Sequence, residues 1–332
     1  MPDPALSKPR LFLAPMEGVT DWAMRDLLTS LGGIDQCVTE FLRITDTLMP
    51  HSVFEKNCPE LKTNSCTRAG TPVFVQLLGG KAEPLALNAA RAAEMGALGV
   101  DLNFGCPAPT VNRHDGGASL LKSTNRLFEI VKTVRAAVPK GVPVTAKIRL
   151  GFDDPSQCLE NAKAIEEAGA TWLTVHCRTK TDGYKPPAYW EWIAKIQAVT
   201  KIPLVTNGEI WTLEDFAKCQ KAAQTESYMI GRGALRDPHL FRKIKEREER
   251  VPGTFSPQKV PGTFFSVREL VPRFYESSVD YANEGFAVAR TKGWLKQLSL
   301  SDPAFGAIFE EVKVLTKPDE FKSLLFKRME SL

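Results

Sequence analysis

Between Arg10 and about Ile230 the chain repeats one alternation, a short apolar run rich in β-branched residues followed by a longer, mostly amphipathic segment, and this constrains its fold more than any other feature. Eight runs can be read: RLFLAP (10–15), QCVTEF (36–41), PVFVQLLG (72–79), GVDLNF (99–104), PVTAKIRLG (143–151), TWLTVH (171–176), PLVTNG (203–208) and SYMIGRG (227–233). The segments between them include EPLALNAARAAEMGA and PSQCLENAKAIEEAGA, whose glycines suit helix C-caps. Parallel strands joined by helices follow. Eight such units are the number of a (β/α)₈ TIM barrel, whereas a doubly wound sheet needs fewer strands and a G-x-G-x-x-G turn after the first, which is absent here. Polar residues and glycines gather at the C-terminal ends of the runs, the face on which such barrels carry their chemistry.

The remainder divides the chain further. Around VPGTFSPQKVPGTFF, in which VPGTF occurs twice, the alternation ends in Pro-Gly punctuation. Beyond Ser266 the apolar residues of FAVARTKGWLKQL and FGAIFEEVKVL are spaced three and four apart, a helical period. The expected organisation is a barrel over 1–245, a linker over 246–265 and a helical domain over 266–332. No apolar run approaches the ~18 residues of a membrane helix, and the N-terminus shows no secretory pattern. Seven cysteines without C-x-x-C or zinc spacing suit a reducing compartment, so a cytoplasmic protein with no metal site is expected. A net charge of +4 is too slight by itself to imply nucleic acid.

One cysteine stands apart. Cys106 lies in DLNFGCPAP, where Gly105 invites a turn and Pro107, lacking an N–H, stops the strand. The thiol is therefore expected on a loop at the barrel mouth, whereas Cys177, inside a run beside His176, suits a structural role.

In order along the chain, APMEGVTD, VQLLG, DLNFGCP, GGASLLK, KIRLG, VHCRT, NGEIW and IGRGAL resemble the tRNA-dihydrouridine synthases, flavin enzymes that reduce uridine in the D-loop of tRNA. TEFLR, HCRTKTDGY and VARTKGWL are similar to the bacterial C-type subfamily, whose target is the uridine at position 16. The resemblance implies FMN as cofactor, NADPH as electron donor, tRNA as partner, a monomer, and neither DNA nor membrane binding. It makes Cys106 the general acid that protonates C5 while hydride reaches C6. Pro15, Met16, Glu17, Gln76, Lys147, His176, Asn207, Gly208, Glu209, Gly231 and Arg232 would hold FMN. Lys147 would place a positive charge beside the pyrimidine edge of the ring, Gln76 would donate and accept there, and Gly208, Gly231 and Arg232 would take the phosphate.

For tRNA the resemblance implicates Arg43, Asn103, Tyr184, Arg290, Lys292 and Gln297, and Arg178, flanking the mouth with His176, is read with them as a substrate contact, with the flavin phosphate as its alternative. Asn103 would read the flipped uridine, and Gln297 stands where the subfamily carries an aromatic residue. Between Glu284 and Asp302 there is no acidic residue, which fits a backbone-contacting helix, although the tail as a whole holds as many acidic as basic side chains. Taken singly, several of these residues have plainer readings: Lys147 as a snorkelling strand residue, Met16 as core, Glu17 as a helix N-terminal charge, His176 as a satisfied core histidine, and the tail's basic run as a solvated face. Two alternative activities stand beside the main reading, reduction of another D-loop position and an FMN barrel oxidoreductase acting on a free pyrimidine. A free base needs no helical docking domain.

Overall fold

The computed structural model describes residues 10–249 and 265–332. Eight parallel strands close into a barrel in sequence order: β1 (Arg10–Leu13), β2 (Gln36–Arg43), β3 (Val73–Leu78), β4 (Val100–Phe104), β5 (Val144–Arg149), β6 (Leu173–His176), β7 (Leu204–Asn207) and β8 (Ser227–Ile230), with β8 paired to β1. Each expected run contains one strand. The second continues two residues past its run to Arg43, beyond a register shift between Val38 and Phe41.

Strand alternation sorts the side chains into two sets. Leu11, Leu13, Val73, Val75, Leu77, Val100, Leu102, Val144, Ala146, Ile148, Leu173 and Val175 belong to the large core shared with the surrounding helices. The opposite parity faces the barrel axis, where Phe12, Val38, Phe74, Val205 and Met229, with Trp172, form a separate apolar cluster. Farther along, the same parity turns polar: Gln76, Asp101, Asn103, Thr145, Lys147, Thr174, His176 and Asn207 are neighbours by strand register. The barrel is thus filled by hydrocarbon at one end and by hydrogen-bonding groups at the other.

The tail forms four helices, Val267–Tyr281, Glu284–Leu298, Pro303–Val312 and Pro318–Glu330. Ser266 and Glu269 make a capping box, and Asn283 and Asp302 cap the next two helices through their side chains. This unit packs on the barrel mouth. Trp294 Nε1 donates to the Leu235 carbonyl at 3.0 Å, Tyr281 Oη donates to the Lys56 carbonyl at 2.9 Å, and the Tyr281 and Trp22 rings stack at 5.8 Å. The helix Leu240–Glu249 runs past residue 245, so part of the expected linker is helical, and the VPGTF duplication lies outside the described residues. Among the described residues no helix is long and apolar enough to cross a membrane.

Candidate active site

A cavity of about 570 Å³ opens at the C-terminal ends of the strands, within the size range of small-molecule and cofactor sites. It is lined by every residue expected to hold FMN, by Cys106, and by Asn103, Arg178, Tyr184, Arg290 and Gln297. One wall comes from the tail, where Gly293, Trp294, Lys296 and Gln297 of the helix Glu284–Leu298 face the barrel. Arg43 and Lys292 lie outside the lining.

The floor is a hydrogen-bonded layer. Lys147 Nζ donates to Asn207 Oδ1 at 3.0 Å, and Asn207 Nδ2 donates to the Met229 carbonyl at 2.9 Å, so the lysine is held from β7. Burial, with Arg149 adding to it, lowers Lys147 to about 8, while Asp101 opposes the shift. His176 is held well below its ordinary value by burial and by the charges of Arg149, Lys147, Arg178 and Arg232. Arg178 Nη1 lies 3.3 Å from His176 Nε2; a guanidinium only donates, so Nε2 accepts and the ring proton belongs on Nδ1.

Cys106 sits where the GCP turn leaves β4. Asn103 Oδ1 accepts from the N–H groups of Gly105 and Cys106 at 3.0 and 2.9 Å, and the Cys106 carbonyl accepts from Ala118 N at 3.1 Å and Asn112 Nδ2 at 3.1 Å. Gly117 permits this closure: its φ is +61°, and a Cβ there would stand 2.8 Å from the Cys106 carbonyl oxygen. The GGASLL stretch is thus the seat of the cysteine turn. The thiol is partly exposed and its pKa is raised, chiefly by desolvation, with Glu17 adding to the shift and Arg149 and Arg43 opposing it. At neutral pH it is a protonated acid. Cys177 is fully buried among apolar side chains, as a structural cysteine would be.

Beyond β7, Gly208 has φ +119°, and a Cβ there would meet His176 Cδ2 at 3.0 Å; at Gly231 a Cβ would meet Met16 Sδ at 3.1 Å. Both glycines keep backbone bare at the cavity wall. Glu209, a non-glycine residue at φ +59°, directs its carboxylate away from bare solvent: Oε1 accepts from Trp211 Nε1 at 2.8 Å and Oε2 pairs with Arg178. Arg232 stands over the rings of Tyr184 and Trp211 at 4.9 and 4.7 Å.

Two engaged residues carry no role in the sequence reading. Arg149 Nε donates to the Gly105 carbonyl at 2.9 Å and its Nη1 to the carbonyls of Thr179 and Gly183 at 2.9 and 2.8 Å, so one guanidinium ties the cysteine turn to the loop that carries Tyr184. Its position two residues after Lys147 on a strand was the available signal. Glu40, on β2, is pushed up to about 7 by burial and by Asp21 and Glu17, against the Val19 N–H that it accepts at 2.9 Å.

Arg290 and Lys292, expected on the tRNA backbone, are both engaged within the protein. Arg290 Nε donates to Asp21 Oδ2 at 2.6 Å, and its terminal nitrogens donate to the carbonyls of Gly18 and Val19. Lys292 Nζ donates to the Leu315 carbonyl, bracing the tail's own helices. Arg43 is exposed at the end of β2, with Nη2 3.5 Å from the Thr110 carbonyl.

Comparison with known proteins gives three kinds of match. The family described as "Dihydrouridine synthase (Dus)" matches residues 12–298. A tRNA-dihydrouridine(16) synthase of Neisseria meningitidis serogroup B is 45% identical over 320 residues, 96% of this chain and 94% of that protein. The Pseudomonas putida protein of the same name is 45% identical over 304 residues, 92% of each. Among solved structures, an old yellow enzyme homologue from Zymomonas mobilis covers 77% of this chain and 96% of its own at 16% identity, with a TM-score of 0.52. A 2-naphthoyl-CoA reductase covers 72% of this chain and 50% of its own at 12% identity, with a TM-score of 0.56. At such identities the likeness is one of barrel fold alone.

Proposed function

The chain belongs to the dihydrouridine synthase family, and from that premise we propose that it reduces the uridine at position 16 in the D-loop of tRNA to 5,6-dihydrouridine, with FMN as cofactor and NADPH as electron donor. The observation that carries the reading is the pairing, in one cavity, of a protonated thiol on a fixed turn with a buried lysine on the floor.

The residues fit FMN. Bare backbone at Gly208 and Gly231, where a Cβ would press on His176 and Met16, leaves room for a planar ring and its phosphate tail to approach the main chain. Arg232 brings positive charge to that side, where Arg178 is already paired with Glu209, and Gln76 and Lys147 offer an amide and an ammonium to polar ring edges. When bound, FMN supplies the hydride. The protein must supply the rest. Saturating the 5,6 bond of uracil needs a proton at C5 for each hydride at C6, and Cys106, held as a thiol by partial burial, donates it. Asn103 keeps one amide hydrogen uncommitted for a uracil carbonyl, since Oδ1 serves the turn and one Nδ2 hydrogen serves Gln76.

A base stacked within folded tRNA cannot reach this depth, so the uridine must leave its stack, at a cost of a few kcal/mol. The tail wall offers contacts that offset this, with Lys296 and Gln297 at the cavity and Tyr184, 54% exposed, at its rim. That wall also favours an RNA over a free pyrimidine.

Cys106→Ala tests the assignment. The variant should retain FMN and bind tRNA, and the flavin-to-tRNA step should slow by roughly 10² to 10⁴. Reoxidation by tRNA at the wild-type rate would refute the role. Dihydrouridine mapping in a deletion strain tests the position: loss at another D-loop site with position 16 retained would overturn the target.

A further inference from the structure

Asp101 carries no role in the mechanism above, yet it is 2% exposed and faces the barrel axis directly below the cavity. Its Oδ1 accepts from Thr145 Oγ1 at 2.5 Å and its Oδ2 from Gln76 Nε2 at 2.7 Å. Gln76 Oε1 accepts from Asn103 Nδ2 at 2.8 Å. Asn103 Oδ1 in turn accepts the two backbone N–H groups of the cysteine turn. The chain of bonds therefore runs from a buried carboxylate to the backbone that carries Cys106.

Its polarity is fixed from both ends. Backbone N–H groups only donate, so the Asn103 atom facing them is oxygen and its nitrogen must face Gln76. Burial raises Asp101 while Thr145, Gln76 and Lys147 oppose the shift, and as a carboxylate it only accepts, so the Gln76 atom facing it is nitrogen and its oxygen must face Asn103. Two amides lie between an obligate acceptor and obligate donors, and the two requirements agree. With a side chain at 101 that could present either a donor or an acceptor, only the two N–H groups of the turn would oppose turnover of both amides, and in the turned-over arrangement Asn103 Nδ2 would face them. Donor would then face donor.

We propose that Asp101 is a positioning residue that, through Gln76 and Asn103, sets the orientation of both amides and so holds the turn that presents the Cys106 thiol to the base. This rests on Cys106 as proton donor for its catalytic consequence, but the hydrogen-bond relay itself is testable on the thiol alone.

The test is Asp101→Asn in the holoenzyme, followed by peptide-resolved alkylation of Cys106 with iodoacetamide from pH 6 to 10. With the turn loosened the thiol moves toward solvent, so its profile should shift down toward that of an ordinary thiol, near pH ~8.5. Alkylation at pH 7.5 should rise above the wild-type rate, because the thiolate is the nucleophile. The tRNA-reduction kcat should fall up to about 100-fold, the scale of a small misplacement of a reacting group, with KM for tRNA unchanged. The double variant Asp101→Asn with Gln76→Glu restores an obligate acceptor facing Asn103 and should return the alkylation profile to that of the wild type. A profile unmoved by Asp101→Asn would overturn the proposal. So would a shift that the double variant fails to reverse, since loosening of the barrel would then explain it. If Asp101→Asn is insoluble, Gln76→Met cuts the relay between the carboxylate and Asn103 and must shift the profile in the same direction, failing which the proposal falls. Wild-type tRNA reduction by Cys106→Ala would sink the proton-donor reading while leaving the alkylation result to decide the relay.

Discussion

Arg290→Met separates an internal clamp from an RNA contact. The guanidinium is 14% exposed and its partner Asp21 5%, so the pair sits largely out of water. Removing one member of such a pair typically costs about 3 to 5 kcal/mol, because the remaining charge stays buried without compensation. Here the stranded carboxylate would also face Glu40, which Asp21 already raises. Against this, Asp21 Oδ1 keeps the Met24 N–H at 3.0 Å as a helix N-cap, which places the expected loss toward the lower end, about 3 kcal/mol. Asparagine caps as well as aspartate, so Asp21→Asn in the Arg290→Met background should recover about half of the loss. The assay is urea unfolding of the four proteins of the cycle, with hydrogen exchange across residues 284–298 to show that the tail has loosened. Affinity for tRNA should fall while its salt dependence stays unchanged. Destabilisation below about 1 kcal/mol, together with a loss of roughly 0.7 to 0.9 in the slope of log affinity against log salt, would instead show a phosphate contact and refute the clamp.

Three further outcomes follow from the site. Lys147 loses its charge as pH rises through about 8, so FMN affinity of the apoprotein should weaken above that pH by at most about 10-fold per unit, and Lys147→Met should abolish the dependence, both read by flavin fluorescence. Glu40 has a folded pKa above its unfolded value, so the stability linked to its protonation is complete below about pH 4.5 and is lost as pH rises through about 7. Glu40→Gln should therefore raise stability by about 1 to 2 kcal/mol at pH 8, discounted from a ceiling of about 3 for partial exposure, and leave it unchanged at pH 4; equal effects at both pH values would contradict the cause given. Gly117→Ala forces a side chain into a left-handed conformation against the Cys106 carbonyl and should cost about 1 to 2 kcal/mol in thermal or urea unfolding while slowing tRNA reduction with FMN content kept.

The barrel was legible because its evidence is local. A β-branched run such as PVFVQLLG declares a strand by itself, and eight of them with helical spacers leave little choice of closure. The cavity was legible for the same reason, since every strand ends on the same face and residues just past each run must meet there. Pairings across the chain were not. Arg290 and Asp21 are 269 positions apart, and no periodicity in FAVARTKGWL tells a guanidinium that reaches inward from one that reaches an RNA. Asp101 was equally silent, because an acid in an apolar run gains meaning only when Gln76 and Thr145 arrive from neighbouring strands. The partner of Lys292 was silent for a related reason: its Nζ reaches the Leu315 carbonyl, a contact set by the fold of the tail rather than by the charge of its neighbours.

The cavity wall supplied by the helix Glu284–Leu298 has a consequence in time. Every strand and every floor residue has been synthesised once Arg232 leaves the ribosome, but Gln297 follows only after another stretch of chain, roughly 3 to 13 s at ordinary translation speeds. During that interval the barrel can close while its mouth still lacks one side. The widest path to the floor exists then, before Arg290 fastens the last wall to the loop after the first strand, so a newborn chain offers a bulky cofactor an entrance that the finished protein has narrowed.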